Sequence, residues 1–563
     1  MSTGKTLGIG LLLLGGSAAA GTYFWMANTG STSDLLQAVP HDTVMVMAMQ
    51  GIPALLQDYH LINDDYEPGF ISKDVWEKMQ AEMKEEGIEL DISSLLLKAK
   101  LNPAGVSAIT FSADISADDP KDICFAYYLP SLSAEGSATY VQEFINTQAE
   151  KAQAPLRVTQ DGKLFSIDDM SFMGHHDWVV FAYCEEGSSK AYLTSLSEST
   201  KSLDGEGSGE LFSKMTTGDW QVAGIVDITT FHDKIDLLAQ LEPELKGIAE
   251  NLDIKSYETA GFRGYMGTGS MNMDLSLQFS SENAKPLKMV SKIDTQKMLQ
   301  RLPGEPIMVM QQGFNIQEQL DLLKKSDPMV AEQIEESKAM ISAMYGMDLE
   351  KDIVGKLGNQ FGVALVDDDP LVGSHIWLEL EKGHRFIDLV DKTLEQMPMQ
   401  LNIDKKDGEL FVQTPPEMLA MFIGFDLSVS LGITPEELVV SVGKQSVEDI
   451  KKKGENSIAS KLNSDLKSIV RSGSYGSMVV DIQSARKIMD KPMVKEAMET
   501  EMDAQEKKTF FAFMNMLKNA SVSADLDGRT VTTSLKVEGT SSTAFSDFSK
   551  DVLIEEIKKE VTF

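Results

Sequence analysis

The side chains able to do chemistry are few and widely spaced. Only two of the seven histidines adjoin, in Met173-Gly-His-His-Asp177. Adjacent side chains on a strand or turn point apart, so His175 and His176 would need a further ligand from elsewhere to hold a metal, and neither H-E-x-x-H nor paired C-x-x-C spacing occurs. A polar turn is the simpler reading. The acid clusters Asp118-Asp119 and Asp367-Asp368-Asp369 could supply carboxylate pairs or calcium oxygens. Both precede a proline, and neither has the glycine and glutamate spacing of a calcium loop. Asp525-Leu-Asp527-Gly528 fails in the same way, so all three read as solvated turns. Gly4-Lys5-Thr6 lacks the upstream glycine of a phosphate loop, and Gly205-Glu-Gly-Ser-Gly209 sets its serine one place off the nucleophile elbow. No catalytic constellation, metal set or cofactor motif emerges. An enzyme built on this chain would have to assemble its site from residues far apart in sequence.

Sulfur is the other reactive element. Cys124 and Cys184, the only two cysteines, both lie in apolar runs that read as strands. In an oxidising compartment a single bridge between them could form; two separately buried thiols are the simpler expectation. Methionine is abundant at 32, and Met45/Met47/Met49, Met271/Met273 and Met308/Met310 recur as M-x-M. On a strand this spacing puts thioethers on one face, suited to cuprous copper or an adaptable apolar groove, with core packing on a buried face as the plainer alternative.

The elements that hold these residues must fill 563 positions, enough for at least two cores. Acidic residues exceed basic ones by 86 to 51, for a net charge of −35. Such a surface repels phosphate backbones and anionic head groups, which argues against a nucleic-acid partner. Residues 7–26 open with the uncharged run Leu7 to Trp25, close to the ~20 residues that cross a bilayer, and the lysine before them favours a cytoplasmic tail at 1–6. A single-pass inner-membrane anchor, a tether at 27–34 and a body outside the cytoplasm are expected. Cleavage as a signal peptide after the small residues Ala18 to Ala20 is the alternative.

The body is written twice. Leu36-Gln-Ala-Val-Pro-His-Asp-Thr-Val-Met-Val-Met47 is answered by Leu299-Gln-Arg-Leu-Pro-Gly-Glu-Pro-Ile-Met-Val-Met310. In the same order follow Gly87–Leu90 and Gly346–Leu349, Asp118–Pro120 and Asp368–Pro370, Asp161–Phe165 and Asp407–Phe411, and Ile225–Ile228 and Val479–Ile482, at separations drifting between 246 and 263 residues. Slow drift is what small loop insertions in a duplicated domain produce. The spacing predicts an α+β fold in two tandem copies, mixing helices with antiparallel sheet, at 35–286 and 299–563 with a linker at 287–298. Val44–Met49 and Ile307–Gln311 should be equivalent strands, Thr139–Gln148 and His384–Gln396 equivalent helices, and Asp161-Gly162 and Asp407-Gly408 equivalent turns. Ser484–Leu517 reads as a long helix, Ala520–Asp525 and Thr530–Val537 as a hairpin, and Thr543–Lys559 as a terminal helix.

The opening Leu36-x-x-Val39-Pro40-x-Asp42-Thr43 resembles that of a family of bacterial membrane-anchored exported proteins classed as a domain of unknown function, whose members start the exported body with this motif after one hydrophobic segment. The second copy departs from it, with Gly304-Glu305-Pro306 in place of the polar trio. The resemblance implies export and anchoring, but no activity or site residue. Physically, Pro40 holds Val39 extended and Asp42 can bond its own backbone before the strand. The function expected is a cell-envelope binding or scaffolding protein, not an enzyme, with an envelope protein as partner. A carrier that holds an apolar ligand in a methionine-lined shell is the first alternative, and an exported enzyme with a dispersed site the second.

Overall fold

A pleated strand sends successive side chains to opposite faces, and in β1 (Met45–Met49) this already divides the protein. Val46 and Ala48 are buried, whereas Met45 and Met47 are only partly so. The computed structural model describes, with short gaps, residues 32–50, 106–232, 253–491 and 503–550. The expected anchor and residues 27–31 of the expected tether lie outside these residues, as do Gly87–Leu90 and Asp118–Pro120, whereas Thr32, Ser33 and Asp34, expected as tether, open the helix Thr32–Ala38. No helix among the described residues is long and apolar enough to cross a membrane. The chain is an α+β protein whose contacts define two compact units: Met1–Ile235 with Tyr257–Gln278 and Ser541–Phe563, and Asp236–Ser256 with Phe279–Thr540.

Among the described residues the first unit holds β1, β2 (Ser107–Asp114), β3 (Lys121–Pro130), β4 (Thr159–Asp161), β5 (Leu164–Ile167), β6 (Met170–His175), β7 (Trp178–Cys184), β8 (Val222–Asp227), β9 (Tyr257–Met266) and β10 (Ser270–Phe279). They pair in the order β4-β5-β6-β7-β3-β2-β1-β8-β9-β10. One face packs under the helices Thr32–Ala38, Ser189–Glu198 and Ser208–Met215, where Leu35, Leu193 and Phe212 meet Val46, Ala126 and Ile225. Full burial of such side chains stabilises the fold by about 1.5–3 kcal/mol each. Among the described residues the helix Ala134–Lys151 covers the β5–β7 end of the opposite face, over Phe165, Phe172 and Val179.

The second unit holds β11 (Glu305–Gly313), β12 (Leu357–Asp368), β13 (Leu371–Leu380), β14 (Asn402–Lys406), β15 (Glu409–Gln413), β16 (Ser428–Ile433), β17 (Glu437–Gly443), β18 (Gly476–Asp481), β19 (Leu517–Asp527) and β20 (Thr530–Gly539). Their order is β14-β15-β16-β17-β13-β12-β11-β18-β19-β20, the first unit's order strand for strand. Register corresponds as well as order. Val46 faces Thr110 and Ile225 in the first unit, and Val309 faces Ala364 and Val479 in the second. The helix His384–Glu395 covers the β15–β17 end, as Ala134–Lys151 does in the first unit.

Several expectations need correction. The segment 287–298 is not a polar linker: Leu287 and Ile293 are buried, and Asp294 caps the helix Thr295–Arg301 by accepting from the Gln296 N–H. The run Ser484–Leu517 is not one helix; its described parts are Ile482–Met489, Ala504–Met516 and the start of β19. The terminal helix is short in the described residues, Ala544–Phe548, with 551–563 lying outside them. The two Asp-Gly turns join corresponding strands but are set one residue apart. Asp161 pairs with Leu164 around Gly162-Lys163, whereas in the second unit Lys406 pairs with Glu409, with Asp407 itself outside the described residues. A one-residue slip moves side chains to the other face, so Phe165 lies under the helix Ala134–Lys151 and Phe411 joins the opposite core.

The cysteines are not separate thiols. They sit directly opposite on β3 and β7, with Cα atoms 4.1 Å apart, and form a disulfide. Counted along the register from Val46 and Val309, the second unit has Gly373 and Gly443 at these places, with the Asp368 carboxylate against both. The bridge closes a separation of 60 residues, which restricts the unfolded chain by about 4 kcal/mol in the loop-entropy account. Cys124→Ser/Cys184→Ser should therefore lower the first unit's unfolding free energy by about that amount, leaving the second unit's unchanged. Urea unfolding followed by unit-resolved hydrogen exchange measures both.

Candidate functional site

The histidine pair lies at a cavity of the first unit. His175 ends β6 and His176 turns away with φ 50°, their rings edge to face at 4.4 Å. The cavity, of about 750 Å³, is lined by Ser133, Glu135, Asp161, Lys163, His175 and His176, among others. Gly174 lets β6 approach the first turn of the helix Ala134–Lys151, since a Cβ there would lie 2.6 Å from the Glu135 backbone nitrogen. Burial pushes the His175 pKa down to about 4, and His176 adds to this while the Ala38 carbonyl opposes it. Lys163 donates to Glu135 at 2.5 Å and holds that carboxyl below its usual range. The hydroxyls at the rim are engaged elsewhere: Thr194 donates to the Lys190 carbonyl and Ser197 to that of Thr194. The arrangement is a solvated polar cleft, without a nucleophile bonded to a base. Among the described residues no three His, Cys, Asp or Glu side chains gather as a metal site.

The acid clusters disperse. Asp367 pairs with Lys491 at 2.6 Å, Asp368 is buried beside Gly373 and Gly443, and Asp369 lies outside the described residues. The second unit carries a sealed polar network instead. His375 Nδ1 lies 2.7 Å from Ser441 Oγ, with both residues at 1% exposure or less. Arg301 Nε pairs with Glu437 Oε1 at 2.6 Å, and Trp377 Nε1 donates to Glu437 Oε2 at 3.0 Å. By motif and register, Ala38 and Trp178 hold the places of Arg301 and Glu437 in the first unit, so the fold itself does not require the ion pair. With no solvent access, the His375–Ser441 pair is a core feature.

Of the methionines in these runs Met49 is buried, whereas Met45, Met47, Met308 and Met310 are partly exposed, because Val46, Ala48 and Val309 take the helix-covered face. In β10 the pattern is inverted. Asp274, Ser276 and Gln278 are buried, while Met273, Leu275 and Leu277 are 40%, 50% and 38% exposed. Arg263 reaches Asp274 at 2.5 Å on the helix-covered side, which leaves the leucines on the other. Between β3 and β10 the face that the described helices leave uncovered carries Phe125 and Leu275, both exposed, and Phe111, Met45, Met47 and Phe262, all partly buried, with no charge among these six. Phe262 spreads over Gly224, where a Cβ would stand 2.5 Å from its ring. The second unit repeats this with Met308, Met310, Val363, Leu365 and Ile376, the last 42% exposed.

Comparison with protein-family models and with curated proteins gives no match. Among solved structures the chain is similar to crystal forms III, IV and I of TP0453, at 8%, 9% and 9% identity. These cover 46% of this chain and 98%, 96% and 98% of that one, with TM-scores of 0.22, 0.23 and 0.22. Likeness at that level carries no argument about fold or function.

Two outcomes follow from the sealed network. Burial pushes the His375 pKa from 6.5 down to about 4, against the pull of the Pro303 carbonyl. Between these values the unfolded chain binds a proton that the fold refuses, so stability should be flat above pH 6.5 and fall by about 3 kcal/mol toward pH 4. Urea midpoints at pH 7.5, 5.5 and 4.5 should show the decline, and His375→Leu should remove this histidine's share while that of His175, lowered in the same way, remains. Glu437→Gln strands the Arg301 charge and should cost about 3–5 kcal/mol, whereas the apolar pair Arg301→Met/Glu437→Leu should be close to neutral in the same assay.

Proposed function

We propose that the chain is a membrane-tethered envelope protein of two tandem copies, each of which binds an apolar, acyl-chain ligand on the sheet face that its described helices leave open. The observation that carries this reading is the inverted strand β10, where Met273, Leu275 and Leu277 stay exposed while Asp274, Ser276 and Gln278 are buried, continued by the partly exposed Met45 and Met47 of β1. Contiguous exposed apolar surface on a soluble body marks a binding site. From β3 to β10 the open face spans six strands, roughly 25 Å at the spacing of a sheet, which suits a long flexible chain. Methionine adapts to ligands of varied shape, and the lack of charge offers nothing to a polar one. Tandem duplication is supported by the matching strand orders, the common register and the five collinear motif pairs. The anchor rests on the Leu7–Trp25 run. The carrier is thereby preferred over a scaffold for other envelope proteins.

Titration of the detergent-solubilised full chain with a dansylated undecanoic acid should give saturable fluorescence enhancement. Met47→Glu and Leu275→Glu should each weaken it by about tenfold or more, since a carboxylate placed in an apolar site is strongly disfavoured. Equal binding by wild type and both variants, or none by the wild type, would refute the proposal.

A further inference from the structure

We infer that each unit is completed by the segment that follows the last strand of the other sequence half, so that the tip of the β9–β10 hairpin is a docking site for residues 541–549. The first unit takes in this segment, and the second takes in residues from Phe279, the last residue of β10, onward. In the first unit the Phe545 N–H donates to the Thr268 carbonyl at 2.8 Å, and the Thr268 hydroxyl donates to the Ser542 carbonyl at 2.6 Å. Ala544 and Phe545 are each 5% exposed and Ser549 1%, so this is a buried contact. Gly269 permits the approach, because a Cβ there would stand 2.5 Å from the Ser541 carbonyl oxygen and 2.6 Å from the Ser542 Cα. In the second unit the Phe279 N–H donates to the Arg529 carbonyl, and Arg529 Nη1 reaches back to the Phe279 carbonyl at 3.2 Å. Arg529 belongs to the tip of the corresponding β19–β20 hairpin.

The two segments are built alike. Ser281 Oγ accepts from the Asn283 N–H at 3.0 Å and its carbonyl from the Ala284 N–H at 3.1 Å. Ser541 accepts from Thr543 and Ala544 in the same way, at 3.3 and 3.4 Å. Ala284 and Ala544 are equally buried at 5%, and each opens a short helix, Lys285–Lys288 or Ala544–Phe548. A module of this design has at its hairpin tip a receptor for the Ser-x-x-Ala segment of a second copy, and carries that segment itself. Here the second copy is supplied in the same chain. The reciprocity rests on the tandem-copy reading, whereas the docking of residues 541–549 does not, and the two fail separately.

Hydrogen exchange on the full-length protein tests the docking. Gly269→Val and Phe545→Asp should each speed exchange across residues 257–278 and 541–549 by about tenfold or more while leaving 305–313 and 357–380 at the wild-type rate. Gly269→Ala, a smaller insult, should show the same pattern more weakly. Unchanged exchange at 257–278, or a loss confined to 517–540, would overturn the inference. Acceleration at 257–278 with Arg529→Ala leaving 279–288 unaffected would keep the docking and reject its reciprocity.

Discussion

Everything in each unit depends on the pleat of its central strand. Because successive side chains of β1 and β11 leave on opposite sides, Val46, Ala48 and Val309 commit one face to the helices and Met45, Met47, Met308 and Met310 are committed to the other. Antiparallel pairing carries that division outward strand by strand. A slip of one residue would exchange the two faces, so burial of the helical side pins the register of the whole sheet. Among the described residues the helix Ala134–Lys151 covers the far end of the open side in the first unit and His384–Glu395 that of the second, where the Thr393 hydroxyl donates to Tyr345 of the further helix Pro328–Tyr345.

This constraint separates packing from function. Positions on the helical side tolerate different solutions to the same space. Paired cysteines in one unit stand where paired glycines and a carboxylate stand in the other, and alanine with tryptophan stands where arginine pairs with glutamate. A buried ion pair repays its desolvation only through close geometry, and its absence from the first unit fits a role in packing. On the open side the two units share a stretch of apolar side chains that includes thioethers, Met45 and Met47 in one and Met308 and Met310 in the other. In the histidine cleft of the first unit, burial holds His175 neutral and Glu135 is paired to Lys163.

Much of the fold was legible in the sequence. Alternation located β1 and β11, and the collinear motifs located their neighbours, because turn residues and hydrophobic period agree locally with the final structure. What stayed hidden has physical causes. Alternation in Ser270–Phe279 shows that two faces exist but not which one a neighbouring element will cover, so the polar side of β10 was not expected to be the buried one. The Asp-Gly pairs look identical, yet one hairpin pairs Lys406 with Glu409 and the other Asp161 with Leu164, and sequence cannot tell the two settings apart. The disulfide depends on β7 lying beside β3, a pairing distant in sequence. Legibility of the candidate site was thus partial: the methionine spacing pointed to a lined face, and the exposed leucines of β10 completed it only in three dimensions.

The most direct test of the open face as the ligand site is photocrosslinking of the full-length protein with a diazirine-bearing palmitic acid, mapped by peptide mass spectrometry. The account predicts adducts at Met45–Met49, Ile109–Phe111 and Met271–Leu277 and at the matching strands of the second unit, competed by unlabelled palmitate. Adducts confined to the histidine cleft or to the outer helices, or labelling that palmitate does not compete, would contradict it.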